Sequence, residues 1–190
     1  MIMYDVVALG ELLIDFTTQA TDPDGYPTMA AHPGGAPANF LAAIAKFGGK
    51  AALLGKVGTD TFGKLLTDTL RKAGIETKGL VASDEFFTTL AFVTLDENGD
   101  REFAFARKPG ADTQLRFDEL DLSIIDETRV FHFGTLSLTD EPARSTTYRT
   151  VKYAKAHGKL ITFDPNLRKP LWCDPVSYTH LRAHETLMNL

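Results

Sequence analysis

Short apolar runs alternate with amphipathic segments along most of the chain. The apolar runs have the length of buried strands and cover residues 6–10, 12–16, 51–57, 130–134 and 160–164. Apolar residues recur at helical spacing between them, at 37–47, 60–74 and 141–157. Strands that alternate with helices predict an α/β fold with a mostly parallel sheet, and right-handed crossovers then place helices on both of its faces.

One part of the chain departs from this alternation and predicts a small β appendage. β-rich runs at 88–95 and 102–107 flank Asn98-Gly99, and Asn-Gly between two such runs is a strong signal for a hairpin. The hairpin is therefore expected to project from the α/β core, and the alternation of its second strand places Phe103, Phe105 and Arg107 on one side. Residues 21–33 are rich in Pro, Gly, Asp and Thr, which predicts a loop that holds at most one strand.

Composition and charge narrow the classes of function. The 190 residues carry a formal net charge of -5 and are 44% hydrophobic and 24% charged, as in ordinary globular domains. The sequence shows no apolar run long enough for a transmembrane helix and no secretory signal, and its mild acidic excess argues against nucleic acid as a partner. A single cysteine, Cys173, forms no internal disulfide, which favours a reducing compartment. We therefore expect a cytoplasmic protein with no membrane or nucleic-acid partner.

The candidate site lies where the predicted parallel strands end. Ligands of open α/β sheets bind beyond the carboxyl ends of the strands, which here carry Gly10-Glu11, Gly134-Thr135 and Asp164-Pro165-Asn166. Gly34-Gly35 precedes the first helix and lets backbone N–H groups approach a ligand, and Asn39 offers a donor and an acceptor for a hydroxyl. Neither a Walker A loop nor a G-x-G-x-x-G pattern is present, and the same stretch also fits a plain turn before a helix.

Several segments, in order and spacing, resemble the PfkB (ribokinase-like) carbohydrate kinase family, most closely its fructokinases. Residues 34–39, followed by Gly48 and Gly58, match the N-terminal signature of the family, except that Leu41 stands where the signature has a small residue. Further matching segments lie at 10–16, 55–58, 109–112 and 164–168. The resemblance covers about residues 5–172 and implies a ribokinase-like fold, with the segments at about 17–33 and 86–108 forming a β lid.

The resemblance also implies a sugar side and a phosphate side of one site. The residues assigned to the sugar are Asp15, Gly34, Gly35, Asn39, Phe105 and Arg107, and those assigned to the phosphate side are Asn166 and Arg168. Each charged residue also has a structural alternative. Asp15 could lie on an edge strand and bond to backbone, and Arg107 could be a solvated arginine beside the aromatic residues of the lid. Arg168 could bond to loop carbonyl groups. Asp112 is expected to cap a turn.

A kinase of this family uses ATP and Mg²⁺, and the resemblance implies transfer of a phosphoryl group to a small sugar, giving fructose 6-phosphate from fructose. The Gly-Ala-Gly-Asp segment that supplies the catalytic base in relatives is missing, as are the Asn-x-x-Glu segment associated with Mg²⁺ and the nucleotide-base pocket. We therefore expect residues 1–173 to be the N-terminal, sugar-binding part of a kinase domain, with no catalytic residue in this chain. A homodimer through the lid is an arrangement that the resemblance leaves open.

The end of the chain does not continue the resemblance. Residues 174–190 look like translated adapter sequence, so we expect them to be foreign to a fold that is incomplete at its C-terminus. His180 and His184 have a spacing found in metal sites on helices, but the pattern offers no third ligand, and no metal site is predicted.

Other functions stay open beside a fructokinase. One is another kinase of the same family, acting on 2-keto-3-deoxygluconate, ribose or a nucleoside. A second is a sugar-binding fragment without catalytic activity. The fold pattern alone also allows a nicotinamide dehydrogenase, against which the missing glycine fingerprint argues.

Overall fold

Strands and helices alternate along the chain, as the apolar pattern predicts. The computed structural model describes residues 3–95, 101–166 and 171–172. Its strands are Tyr4–Leu9 (β1), Leu13–Thr21 (β2), Pro27–Gly34 (β3), Ala51–Gly58 (β4), Ile75–Glu76 (β5), Leu80–Ser83 (β6), Leu90–Leu95 (β7), Arg101–Ala106 (β8), Thr128–Gly134 (β9) and Leu160–Asp164 (β10). Its α-helices are Ala36–Lys46 (α1), Thr61–Lys72 (α2), Ser123–Asp126 (α3) and Ala143–Ala156 (α4).

The central sheet is parallel and lies between two layers of helices. Its strand order is β10-β9-β1-β4-β5, with β6 also paired to β4. Both faces are buried, so neighbouring residues of β1 serve different cores: Val7 packs with Phe131 on one face, and Ala8 packs with Leu53 on the other. This arrangement confirms the predicted α/β fold with a parallel central sheet.

Four strands form a second, smaller sheet, which we call the lid sheet. Its order is β3-β2-β7-β8; β2 pairs in parallel with β7, and the other two pairs are antiparallel. The two strands of the predicted hairpin are confirmed as β7 and β8, while its turn at Asn98-Gly99 lies outside the described residues. The segment 21–33, expected to be mostly loop, contributes the eight-residue strand β3.

Element boundaries differ from the prediction where proline and short segments intervene. The helix expected over 141–157 begins at Ala143 with Pro142 at its N-cap, because Glu141 precedes a proline and the helical conformation is disfavoured at such a residue. The short strands β5 and β6 and the one-turn helix α3 were not predicted, since none is long enough to show a periodic pattern. Within the described residues, none of the helices has the length and hydrophobicity needed to span a membrane.

Asp60 joins the start of α2 to the base of the lid sheet. Its Oδ1 accepts from the N–H groups of Phe62 and Gly63, both at 2.9 Å, and its Oδ2 accepts from Thr88 N–H at 2.8 Å. Burial raises the pKa of this carboxyl, but the hydrogen bonds from Thr88, Gly63 and Phe62 outweigh burial and hold it below the ordinary 3.8.

We expect Asp60→Ala to lower the free energy of unfolding by about 2 kcal/mol, because it removes an N-cap together with a long-range hydrogen bond. The matched control is Asp68→Ala in the same helix, whose carboxylate forms only an exposed ion pair with Arg71, and we expect a loss below about 0.5 kcal/mol. Urea unfolding of both variants measures the difference. Since the folded-state pKa of Asp60 is depressed, its contribution is present above pH 3.8 and declines as the pH falls through the lower folded-state value. Equal losses in the two variants at neutral pH would contradict this role.

Candidate functional site

A cleft of about 710 Å³ lies between the carboxyl end of β1, the start of α1 and the lid sheet. It brings together five of the residues predicted from sequence, namely Asp15, Gly35, Asn39, Phe105 and Asn166. Glu11, Thr17, Phe103 and Leu136 also line it. The position agrees with the rule that ligands bind beyond the carboxyl ends of parallel strands.

The carboxylate of Asp15 is carried by the lid sheet. Asp15 pairs with His32 of β3 and with Ala91 of β7, so β2 is an inner strand. The alternative that Asp15 belongs to an edge strand is therefore wrong. Along β2 the side chain of Ile14 is fully buried, whereas Asp15 is half-buried at the cleft, as expected for alternating residues of a strand.

Gly34 lies behind Asp15 and leaves room for its carboxylate. A Cβ at position 34 would overlap Oδ2 of Asp15, so only glycine is compatible with this side-chain position. Gly34 therefore lies next to the cleft and is not one of the described residues that line it.

The next residues start the helix that carries Asn39. Gly35 has φ +114° and stands at the N-cap of α1, and a Cβ there would overlap the carbonyl oxygen of Glu11. Asn39 follows in the first turn of α1, where it donates its backbone N–H to Gly35 O at 3.0 Å and lines the cleft. The stretch is therefore more than a plain turn, because its geometry requires glycine and brings an amide side chain to the cleft.

Glu11, which the sequence places at the carboxyl end of the first strand, forms part of the floor of the cleft. Only 3% of its surface is exposed. Its Oε1 accepts from Ala36 N–H at 2.9 Å, while Oε2 has no hydrogen-bond partner among the described residues. Burial raises the pKa of the Glu11 carboxyl to about 7, although the backbone hydrogen bonds from Glu11 and Ala36 lower it. The available signal was its place after β1, four residues before Asp15.

Two aromatic rings of β8 cover the cleft from the lid side. Phe103 and Phe105 both line it, with ring centroids 6.2 Å apart and nearly parallel planes. Their shared face confirms the alternation predicted from sequence.

Arg107 does not continue that face, which corrects the prediction that it joins the two phenylalanines. The strand ends at Ala106, and Arg107 is 3% exposed, so it is not a solvated arginine either. Its guanidinium contacts Asp112 at 2.7 Å, Thr139 Oγ1 at 2.7 Å and Leu136 O at 2.8 Å. Among the described residues that line the cleft, Arg107 is absent.

Asp112 also differs from its expected role as a turn cap. It lies inside the 3₁₀ turn Ala111–Gln114, whose N-cap is Gly110. Its carboxylate instead pairs with Arg107 and accepts a short hydrogen bond from Thr89 Oγ1.

Asn166 is the described residue at the phosphate side of the predicted site. Thr135 Oγ1 donates to Asn166 O at 2.5 Å, and this bond joins the segments that follow β9 and β10. Arg168 and the segment 174–190 lie outside the described residues.

Comparison with known proteins gives a consistent family. Residues 3–189 match the model of the pfkB family carbohydrate kinases. The chain is 46% identical to "Probable fructokinase-3" of Arabidopsis thaliana over 172 residues, which are 90% of this chain and 50% of that protein. It is 45% identical to "Fructokinase-1" of Zea mays over 169 residues, 88% of this chain and 52% of that protein. The chain thus spans about half the length of the curated relatives it matches.

Solved structures show the same fold. The fructokinase of Xylella fastidiosa superposes with a TM-score of 0.87 at 34% identity, over 93% of this chain and 56% of that one. A structure of the fructokinase from that organism with bound ATP gives a TM-score of 0.86 at 33% identity, over 93% and 57%.

Proposed function

The chain belongs to the pfkB family of carbohydrate kinases, and we propose that the protein it comes from transfers the γ-phosphoryl group of ATP to fructose, giving fructose 6-phosphate. We assign to this chain the half of the enzyme that binds the sugar. The relatives that support this choice of substrate are named fructokinases.

The observation that carries the proposal is the composition of the cleft. Asp15 offers carboxylate oxygens that accept from neighbouring hydroxyls, and Asn39 adds an amide that both donates and accepts. Phe103 and Phe105 supply an apolar wall. A concave site with few polar groups on an apolar surround suits a small polyhydroxylated ligand.

We base the assignment of residues to ATP and its phosphates on the family to which the chain belongs. Asn166, and Arg168 beyond the described residues, are assigned to the transferring phosphate, since charge stabilisation dominates phosphoryl transfer. The Asn-x-x-Glu segment associated with Mg²⁺ is not among the residues of this chain, which spans about half the length of its relatives. We therefore place Mg²⁺ and most of the ATP contacts in the part of the relatives' length that this chain does not span, and we place the reaction in the cytoplasm.

A panel of sugars tests the substrate. We expect titration calorimetry of the chain to show binding of fructose in preference to 2-keto-3-deoxygluconate, ribose and adenosine. Preference for one of the other three would assign the chain to another kinase of the family.

We also expect residues 1–190 alone to release no ADP from magnesium-ATP in the presence of fructose. Fructose-dependent release that disappears in Asp15→Ala would show a complete active site in this chain and contradict the division proposed here.

Gly34→Ala tests the sugar site without altering its charge. The added methyl group overlaps the position of Asp15 Oδ2, so the carboxylate must move, and we expect fructose affinity to fall at least about tenfold. Gly48→Ala serves as a control for the general strain of such a change, because Gly48 has φ +85° but nothing lies within 4 Å of the added methyl group. Fructose titration of both variants gives the comparison, and equal affinities would contradict the steric argument.

A further inference from the structure

The floor of the cleft contains one buried polar atom that the proposed function does not use. Oε2 of Glu11 has no hydrogen-bond partner among the described residues, and the side chain around it is almost fully buried. A buried polar atom without a partner is unfavourable for folding, since it has lost its hydrogen bonds to water. The bond from Ala36 N–H accounts for Oε1, but folding gives no use for the second oxygen, and a ligand does.

The contacts of the other oxygen indicate which atom carries a proton. Oε1 accepts from Ala36 N–H at 2.9 Å, which is the role of the carbonyl oxygen in a neutral carboxylic acid. The proton of the neutral form is then on Oε2, where it provides an O–H donor directed to no described residue. Burial is the largest influence and favours this neutral form. The backbone N–H groups of Glu11 and Ala36 and the charge of Arg107 act against it, Asp112 acts with it, and the resulting pKa of Glu11 is about 7.

We propose that Glu11 is a further sugar-binding residue of this cleft, and that its neutral carboxyl donates a hydrogen bond from Oε2 to a hydroxyl oxygen of the bound sugar. The inference rests on the proposed function. It gives the cleft two carboxyl groups with different roles: Asp15 accepts from sugar hydroxyls, and Glu11 donates to one. Sugar that covers the cleft removes more water from Glu11 and so favours the neutral form further.

Other titratable groups near Glu11 can also affect how sugar binding depends on pH. Arg107 and Asp112 act on Glu11 from the buried ion pair, and Asp15 lines the same cleft. His32 lies opposite Asp15 in the register of β2 and β3. His132 packs against Phe40 of α1 with the ring centroids 4.3 Å apart and the rings tilted, and burial lowers its pKa.

The test is fructose titration of the full chain between pH 6 and pH 8. In the wild type we expect the dissociation constant to rise about tenfold over this range, as a group with a pKa of about 7 loses its proton. Glu11→Gln keeps an acceptor for Ala36 and a donor at the position of Oε2, so we expect affinity near that of the wild type at pH 6 and no loss up to pH 8. Glu11→Met has neither group, and we expect affinity at least about tenfold weaker at pH 6. His32→Gln is expected to retain the wild-type pH profile.

The outcomes separate this inference from the proposed function. Wild-type chain that binds none of the tested sugars would overturn both. Binding that does not weaken with rising pH, a Glu11→Gln variant as weak as Glu11→Met, or a Glu11→Met variant equal to the wild type would each overturn the role of Glu11 alone. Thermal unfolding of each variant confirms that it is folded. If Glu11→Met does not fold, the pH profiles of the wild type and Glu11→Gln still decide.

Discussion

Arg107→Met is expected to lower the free energy of unfolding by about 3–5 kcal/mol, the usual effect of leaving one charge of a buried ion pair without its partner. The side chains of Arg107 and Asp112 are 2% and 3% exposed, and Nη2 of the arginine lies 2.7 Å from Oδ2 of the aspartate. Removing the guanidinium also removes the hydrogen bonds to Thr139 and Leu136 O.

The position of this pair explains why the effect extends to the lid sheet. Thr89 directly precedes β7 and donates to Asp112, and Arg107 directly follows β8. The carboxylate of Asp112 therefore fixes the start of β7 and the end of β8, where the hairpin joins the α/β core. Because Leu136 lines the cleft and its carbonyl accepts from Arg107, the same network connects the lid sheet to the floor of the site.

Two controls isolate the buried pair. Arg116→Met breaks an ion pair with Asp118 at the same 2.7 Å, but these side chains are 62% and 67% exposed, and we expect a loss below about 1 kcal/mol. The double variant Arg107→Met/Asp112→Leu should recover part of the loss, since both buried charges are then gone. Guanidinium unfolding measures all three. A loss in Arg107→Met no larger than in Arg116→Met would show that the network does not hold the fold.

Asp15→Asn is expected to weaken fructose binding about 100-fold, roughly 3 kcal/mol, since hydrogen bonds to an ionised group contribute about 1.5–3 kcal/mol each. The substitution keeps the size of the side chain and replaces one accepting oxygen by a donor. Nucleotide affinity of the full-length protein should stay nearly unchanged, because Asp15 is assigned to the sugar.

The matched control for Asp15→Asn is Asp24→Asn, an exposed aspartate in the turn between β2 and β3, for which we expect unchanged fructose affinity. Titration calorimetry with fructose and with ATP separates the two ligands. Equal losses of sugar and nucleotide affinity would contradict the assignment of Asp15.

The parts of the fold that could be predicted from sequence are those whose pattern is local. The buried strands of the central sheet are continuous apolar runs, and α1 and α2 carry their proline, glycine and aspartate signals at their ends. Strand β3 gave little signal because no residue between Pro27 and Pro33 is fully buried, so no alternation of buried and exposed positions appears in its sequence.

Site residues could be predicted from sequence only where they belong to a recognised motif or to the alternating pattern of a strand. Asp15, Asn39 and Phe105 were placed correctly at the cleft. Arg107 was misplaced because the end of β8 and the partner Asp112 depend on tertiary packing that the alternation does not contain. Glu11 can be placed at a strand end from sequence, but no role for it follows, because its burial and its unpartnered oxygen arise only when β1 and α1 meet.

The most direct test of the central claim is an amide chemical-shift titration of the ¹⁵N-labelled chain with fructose. If the cleft is the sugar site, the largest shifts should cluster at Asp15, Gly35, Asn39 and Phe103, which line this cleft from three different segments, namely β2, the start of α1 and β8. A second surface groove, lined by residues that include Asp60, Phe87 and Lys108, provides the internal comparison. Shifts confined to that groove, or no shifts at saturating fructose, would contradict the account.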